Sequence, residues 1–167
     1  DFCDKAENGI DIPTSIIYGA LAKEEARLKS FINNGGTEDA VALRTRMQEI
    51  MTTKIGIFRK GADMEAAVAE LEDLYKRSFK ISVKDVVGPN PELIYAYRTQ
   101  KMLRVALSVA CGALNRKESR GAHYREDYPV RNDVEWLNRT LVTWKEGDTL
   151  PTLNYENLDI SKMELPP

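Results

Sequence analysis

The side chains best placed to act together lie in Arg116-Lys117-Glu118-Ser119-Arg120-Gly121-Ala122-His123-Tyr124-Arg125-Glu126-Asp127-Tyr128-Pro129. These fourteen positions hold four basic side chains, three acidic ones, two tyrosines and the only histidine of the chain. Guanidinium forks pair bidentately with carboxylates on a facing surface. Gly121 allows close backbone approach, and His and Tyr add hydrogen bonds. Glu118, Arg120, His123 and Arg125 are therefore candidate docking residues, Arg120 first among them because it sits beside Gly121 where a long helix ends. A solvated helix end, where charges are cheap, is the alternative reading. Catalysis is not indicated. The run has no partner His or Cys, no Gly-rich phosphate cradle and no activated Ser, and no catalytic, cofactor-binding or metal-binding residue is assigned.

Other chemistry-bearing residues have plainer readings. Gly35-Gly36 is a helix stop and lacks a dinucleotide fingerprint. Glu24-Glu25 and Glu70/Glu72/Asp73 are expected on solvated helix faces. Glu65 and Glu72 share a face, yet no His completes a carboxylate metal site, and a single His argues against zinc. Met47, Met51 and Met64 are expected to fill core gaps. Trp136 and Trp144 should anchor the C-terminal part. Cys3 falls in a polar stretch and Cys111 in an apolar helical run, which predicts a buried free thiol and a reducing compartment.

Five stretches must position these residues. Pro13-Thr14 opens a first helix with Ile17, Leu21, Leu28 and Phe31/Ile32 as its stripe, stopped at Asn33-Asn34-Gly35-Gly36. Thr37 is the expected cap of a second, with Val41, Leu43, Met47, Ile50 and Met51 inward. Ile55-Gly56-Ile57-Phe58 reads as a helix end and connection. Asp63 is the expected cap of a third helix striped by Met64, Val68, Leu71 and Leu74/Tyr75. Ile81 to Lys84 is briefly extended. Asn90-Pro91-Glu92 starts the fourth and longest helix, which runs to about Arg116, roughly 36 Å. Its C-terminal half is rich in small residues, so other elements should pack there closely. Beyond Ser119, Asp133 is expected to cap a short turn, and Thr140 to Trp144 should pair with Leu150 to Tyr155 across Glu146-Gly147-Asp148. The fold expected is mainly α: an antiparallel three- to four-helix bundle over residues 1–119, with an irregular extension of the same domain over 120–167 that holds a short β-hairpin.

Composition sets the outer limits. The chain has 167 residues, a size suited to one domain, and its 43% hydrophobic content supports a core. Lys+Arg number 24 against 26 Asp+Glu, and the pI is near 5.6. That balance gives no electrostatic footprint for nucleic acid. Apolar runs stop far short of the about 20 residues of a membrane span. Both ends, Asp1-Phe2-Cys3-Asp4 and Met163 to Pro167, read as cuts inside a longer protein.

The run Glu118-Ser119-Arg120-Gly121-Ala122-His123-Tyr124-Arg125-Glu126-Asp127-Tyr128-Pro129, followed by Trp136-Leu137-Asn138-Arg139-Thr140-Leu141, resembles the C-terminal helical domain of fumarate reductase and succinate dehydrogenase flavoprotein subunits, the bacterial quinol:fumarate reductase type above all. Met47 to Phe58, Met64 to Arg77 and Thr152-Leu153-Asn154-Tyr155 extend the resemblance over most of the chain. It implies a spectrin-repeat-like bundle that buttresses the flavin domain of the same polypeptide. The parent enzyme would carry covalent FAD elsewhere and reduce fumarate to succinate. Its electrons would come from quinol through an iron–sulfur subunit and a membrane quinone-binding subunit. That complex would sit at the cytoplasmic face of the bacterial inner membrane in anaerobic respiration. None of its substrate-binding or flavin-binding motifs lies in this segment. The docking partner of Glu118, Arg120, His123 and Arg125 would be the flavin domain. Succinate dehydrogenase is the near alternative, and a stand-alone helical interaction module the distant one.

Overall fold

A computed structural model describes residues 12–161. Cys3, the rest of the polar start and the residue 163–167 tail lie outside the described residues. Three helices form the body: α2 (Ala40–Lys54), α3 (Gly61–Ser78) and α4 (Pro91–Asn115). A 16-residue helix, α1 (Thr14–Lys29), precedes them. Arg77 near the end of α3 grips Glu38 just before α2 with both fork nitrogens, at 2.8 and 2.9 Å, so these two helices run antiparallel. The inward side chains are those of the apolar stripes. Leu43, Met47 and Ile50 meet Met64, Ala67, Leu71, Leu74 and Tyr75, and both sets meet Ala96, Leu103, Ala106, Leu107 and Ala110. Cys111 is buried, and burial pushes its thiol pKa up.

Local signals account for most boundaries. Asn90 caps α4 by accepting from Leu93 N at 3.2 Å, with Pro91 in the first turn. The helix stop after α1 uses left-handed Asn33 and Gly35. Gly36 has a second role, since a Cβ there would lie 2.0 Å from the Lys80 carbonyl oxygen. That approach lets the 31–38 segment pair with Ile81 and Val83 through isolated parallel bridges.

Three caps differ from expectation. Asp39, not Thr37, caps α2, accepting from Ala42 N at 2.7 Å. Lys60 precedes α3 without a side-chain cap, which leaves Asp63 inside the first turn. Asn132, not Asp133, caps the four-residue α5 (Asp133–Trp136). Val41 is exposed. The larger correction concerns α1: none of its residues is buried, and Ile17 and Leu21 point to solvent.

Two small sheets complete the fold. β1 (Phe58–Arg59) pairs in parallel with β2 (Tyr124–Arg125), which ties the loop after α4 to the start of α3. β3 (Asn138–Thr143) and β4 (Thr152–Asn157) form the antiparallel hairpin, turning at left-handed Gly147. Trp144 fastens it to the bundle: its Nε1–H donates to Ser108 Oγ at 2.9 Å, and its ring meets Tyr75 edge-on at 5.7 Å. The small-residue half of α4 thus carries the bundle on one side and the hairpin on the other.

Candidate functional site

α4 ends at Asn115, and the last carbonyls of an α-helix lack intrahelical donors. Arg125 supplies one from the following loop. Its Nη1 donates to the carbonyls of Ala113, Leu114 and Arg116 at 3.2, 2.8 and 3.2 Å. Its Nε and Nη2 grip Asp127 at 2.8 and 2.7 Å. Asp127 lies against Gly61 at the start of α3, and the Arg125 fork foremost, with a small contribution from the nearby Gly61 N–H, lowers its pKa. Arg125 and Asp127 therefore place a cation on the negative end of α4 and an anion on the positive end of α3, where each is favourable. A Cβ on Gly61 would come within 2.7 Å of Asp127 Oδ2, so a side chain there would force this clamp open.

Beside the clamp lies a second lattice, centred on Glu118, which is fully buried. The carboxylate accepts from Arg116 Nη1 at 2.6 Å, Arg120 Nε at 2.9 Å, Arg120 Nη2 at 3.0 Å and the Asn132 N–H at 2.9 Å. Burial alone would raise its pKa. The donors from Arg120, Asn132 and Arg116 outweigh burial and hold the group below the ordinary value. Arg120 also reaches Asp133 at 2.5 Å, and Arg131 donates to the same Asp133 oxygen at 2.9 Å. Those two partners bring Asp133 down to about 2, and Glu118 and Asp133 raise the Arg120 pKa. Arg116 continues to the carbonyls of Trp136 and Asn138, at 2.9 and 2.7 Å, joining the loop to α5 and β3.

His123 links the clamp to β1. Arg59 Nη1 lies 2.5 Å from Nδ1, and since arginine only donates, Nδ1 accepts. The proton then resides on Nε2, which donates to the Arg116 carbonyl at 3.2 Å. Burial lowers the His123 pKa. The Arg116 carbonyl opposes this, and the charges of Arg59, Arg125 and Arg116 add to it. Burial, then Arg125, lowers Arg59 in the same way. Gly121 lets the turn form with a left-handed φ of 57°, and space around it is open, so close approach is not its role within the domain.

All four docking candidates come together in one network, but they divide by depth. Glu118 and Arg125 are buried beneath the loop with partners inside the chain. Arg120 and His123 are part-exposed, and Gly121, Ala122 and Tyr124 form the exposed tip. Phe58, 73% exposed, stands edge-on to Tyr124 at 5.7 Å. Arg116 and Asp127 lie in the run already singled out, but their roles as hub and cap emerge only from the fold. Arg59 and Gly61 escape sequence reading, since the loop residues they meet, His123 and Asp127, lie more than sixty residues away. Both ring nitrogens of His123 are engaged and every carboxylate of the lattice is paired, so the arrangement braces a loop and presents its tip. Among the described residues no group of three or more His, Cys, Asp or Glu is placed to hold a metal.

A family model for the fumarate reductase flavoprotein C-terminus matches residues 44–167. The chain belongs to this fumarate reductase flavoprotein C-terminal family. Family members include the fumarate reductase flavoprotein subunit of Helicobacter pylori strain J99, 47% identical over 163 residues that cover 96% of this chain and 23% of the relative. The succinate dehydrogenase flavoprotein subunit of Bacillus subtilis strain 168 is 32% identical, covering 90% of this chain and 26% of the relative. The solved Escherichia coli quinol fumarate reductase superposes with a TM-score of 0.83 at 31% identity, over 96% of this chain and 27% of that one. The chain spans about a quarter of the length of these flavoproteins. The Glu118–Arg125 lattice therefore belongs to the C-terminal module of an oxidoreductase family.

Proposed function

We propose that this chain is the helical C-terminal domain of the FAD-carrying subunit of a fumarate reductase, that residues 1–119 and 120–167 act as one domain, and that it buttresses the flavin domain of the same polypeptide. The observation that supports the choice is the 47% identity to a fumarate reductase subunit over 96% of the chain, against 32% and 37% to succinate dehydrogenase subunits over 90% and 73% of it. The parent would reduce fumarate to succinate with quinol electrons passed through an iron–sulfur subunit and a membrane quinone-binding subunit, at the cytoplasmic face of the inner membrane. No helix of the described residues is long and apolar enough to cross a membrane, which agrees with a peripheral place in such a complex.

Covalent FAD would sit in the remainder of the subunit. The only histidine of the chain, His123, has both ring nitrogens engaged, by Arg59 and by the Arg116 carbonyl, which agrees with attachment elsewhere. The contribution of this domain is mechanical. Glu118 and Arg125 hold the loop from beneath, while Arg120 and His123 set its outer edge against the flavin domain. The test is Arg120→Ala in the full-length subunit, scored by covalent flavin content and viologen-driven fumarate reduction beside the melting of the isolated segment. Loss of flavin and turnover with the segment still folded supports docking. Normal flavin and turnover reject it, and collapse of the segment alone confines Arg120 to internal bracing.

A further inference from the structure

We propose that residues 12–22, Ile12 and the first half of α1, pack into the upstream part of the same flavoprotein polypeptide; the inference rests on the proposed function above and names the surface that joins the two parts. This eleven-residue stretch, Ile-Pro-Thr-Ser-Ile-Ile-Tyr-Gly-Ala-Leu-Ala, carries no charge in a chain that is 30% charged. Every residue of it is exposed in this domain, with Ile16 and Tyr18 at 61% and 66%. Among the described residues, the side-chain contacts that hold α1 begin at Lys23, which pairs with Glu146. Glu24 follows, accepting from the Tyr97 hydroxyl at 2.6 Å, and then Arg27, which donates to Gln100 at 2.7 Å.

Two and a half turns of helix thus overhang the bundle. A helix that short is marginal in water without tertiary support, and this one spreads Ile16, Ile17, Tyr18 and Leu21 over most of its circumference, leaving only Ser15, Gly19 and Ala22 on a small-residue side, so more than one face calls for cover. Ile16, Ile17 and Tyr18 follow one another at about 100° around the axis, so the partner surrounds this stretch and does not merely touch one face. Space for it exists: a Cβ on Gly19 would meet nothing within 4 Å.

The comparisons point to the occupant. The C-terminal family model begins at residue 44, downstream of α1. The alignments with flavoprotein relatives, covering 96% of the chain, leave too few residues over to omit a 16-residue helix. α1 is therefore shared by the whole subunits, and it is the first element of the described residues, on the side of this C-terminal segment that faces the bulk of the subunit in sequence. A lipid surface is disfavoured, because a helix lying on a membrane carries Lys or Arg on its polar face and this stretch has neither.

The test uses the full-length subunit with p-benzoylphenylalanine in place of Tyr18, irradiated, with the cross-linked peptides identified by mass spectrometry. Cross-links from α1 to segments upstream in the same chain are expected. Amide exchange over residues 14–22 of the unsubstituted subunit should also be slowed at least 100-fold relative to an unstructured peptide. Cross-links to a second copy, to another subunit or to lipid, or unprotected amides, overturn the proposal. Viologen-linked fumarate reduction by the same preparation separates the two conclusions. Activity without upstream cross-links rejects this interface and leaves the function standing. Upstream cross-links in a subunit that neither holds flavin nor reduces fumarate keep the interface and reject the function.

Discussion

The loop from Arg116 to Asp133 is dense in charge and closed at its centre, whereas residues 12–22 carry no charge and are open along their whole length. The contrast shows what burial requires in a domain of this size. A carboxylate can be taken out of water when donors of matched geometry surround it, as the four donors around Glu118 do. An apolar helix cannot be taken out of water without a neighbour to cover it, and among the described residues none covers the first half of α1. Depth is set by available partners, not by the polarity of the run.

The strongest way to break the comparison is at the buried ionic centres. Glu118→Ala or Arg125→Ala should each destabilise the segment by about 3–5 kcal/mol, because each leaves charged or polar partners buried and unpaired. Urea unfolding is the measurement, and a loss below about 1 kcal/mol would assign the loop to solvated surface after all. Leu71→Ala and Leu107→Ala provide the apolar yardstick. Both side chains are fully buried on facing helices, and truncation should cost about 2–5 kcal/mol. An unchanged midpoint would mean that α3 and α4 do not meet through these residues.

A smaller effect is expected from pH. His123 has a pKa lowered in the folded state, so the unfolded chain binds the extra proton first. The stability it contributes is complete above the ordinary value of about 6.5 and is lost as pH falls from there toward the lowered value. The lattice carboxylates, Asp133 among them at about 2, lose theirs only in more acid solution. Unfolding midpoints at several pH values between 5 and 8 should therefore decline toward acid, and His123→Gln should flatten that decline. A rise toward acid would contradict the neutral tautomer. The smallest effect belongs to α1: Ile16→Ala should shift the stability of the isolated segment by less than about 0.5 kcal/mol. A loss above 1 kcal/mol would show that the exposed stretch folds back onto the bundle.

Features encoded over a few neighbouring residues were legible in the sequence. Asn90-Pro91-Glu92 starts α4 because cap, ring and charge act within one turn, and Glu146-Gly147-Asp148 closes the hairpin for the same kind of reason. The stripes of α2, α3 and α4 announce a shared core through periodicity alone. The caps at 37 and 63 misled because several polar residues compete within a few positions, and tertiary contacts chose among them. α1 misled more deeply: helical spacing of apolar residues shows that a helix has something to bury and is silent on where. The charged run from Arg116 to Pro129 was recognisable as a unit, yet its depth was not. That Arg125 faces inward depends on Gly61 and on the α4 carbonyls, and that His123 is neutral depends on Arg59. Partners so remote leave no local pattern.

The Arg125–Asp127 clamp also has a consequence in time. It joins the two ends of a long stretch of chain, since Gly61 and Arg125 are separated by all of α3 and α4, and loop closure of that length precedes any reward from the contact. The clamp can lock only after the helices have paired, late in folding. Its removal should then leave the refolding rate nearly intact and fall almost wholly on unfolding, which stopped-flow chevrons of Arg125→Ala would read directly. A slowed refolding arm would place the clamp in the nucleus. Late assembly makes this loop a latch on the lifetime of the folded domain, and so on how long the surface it presents stays in place.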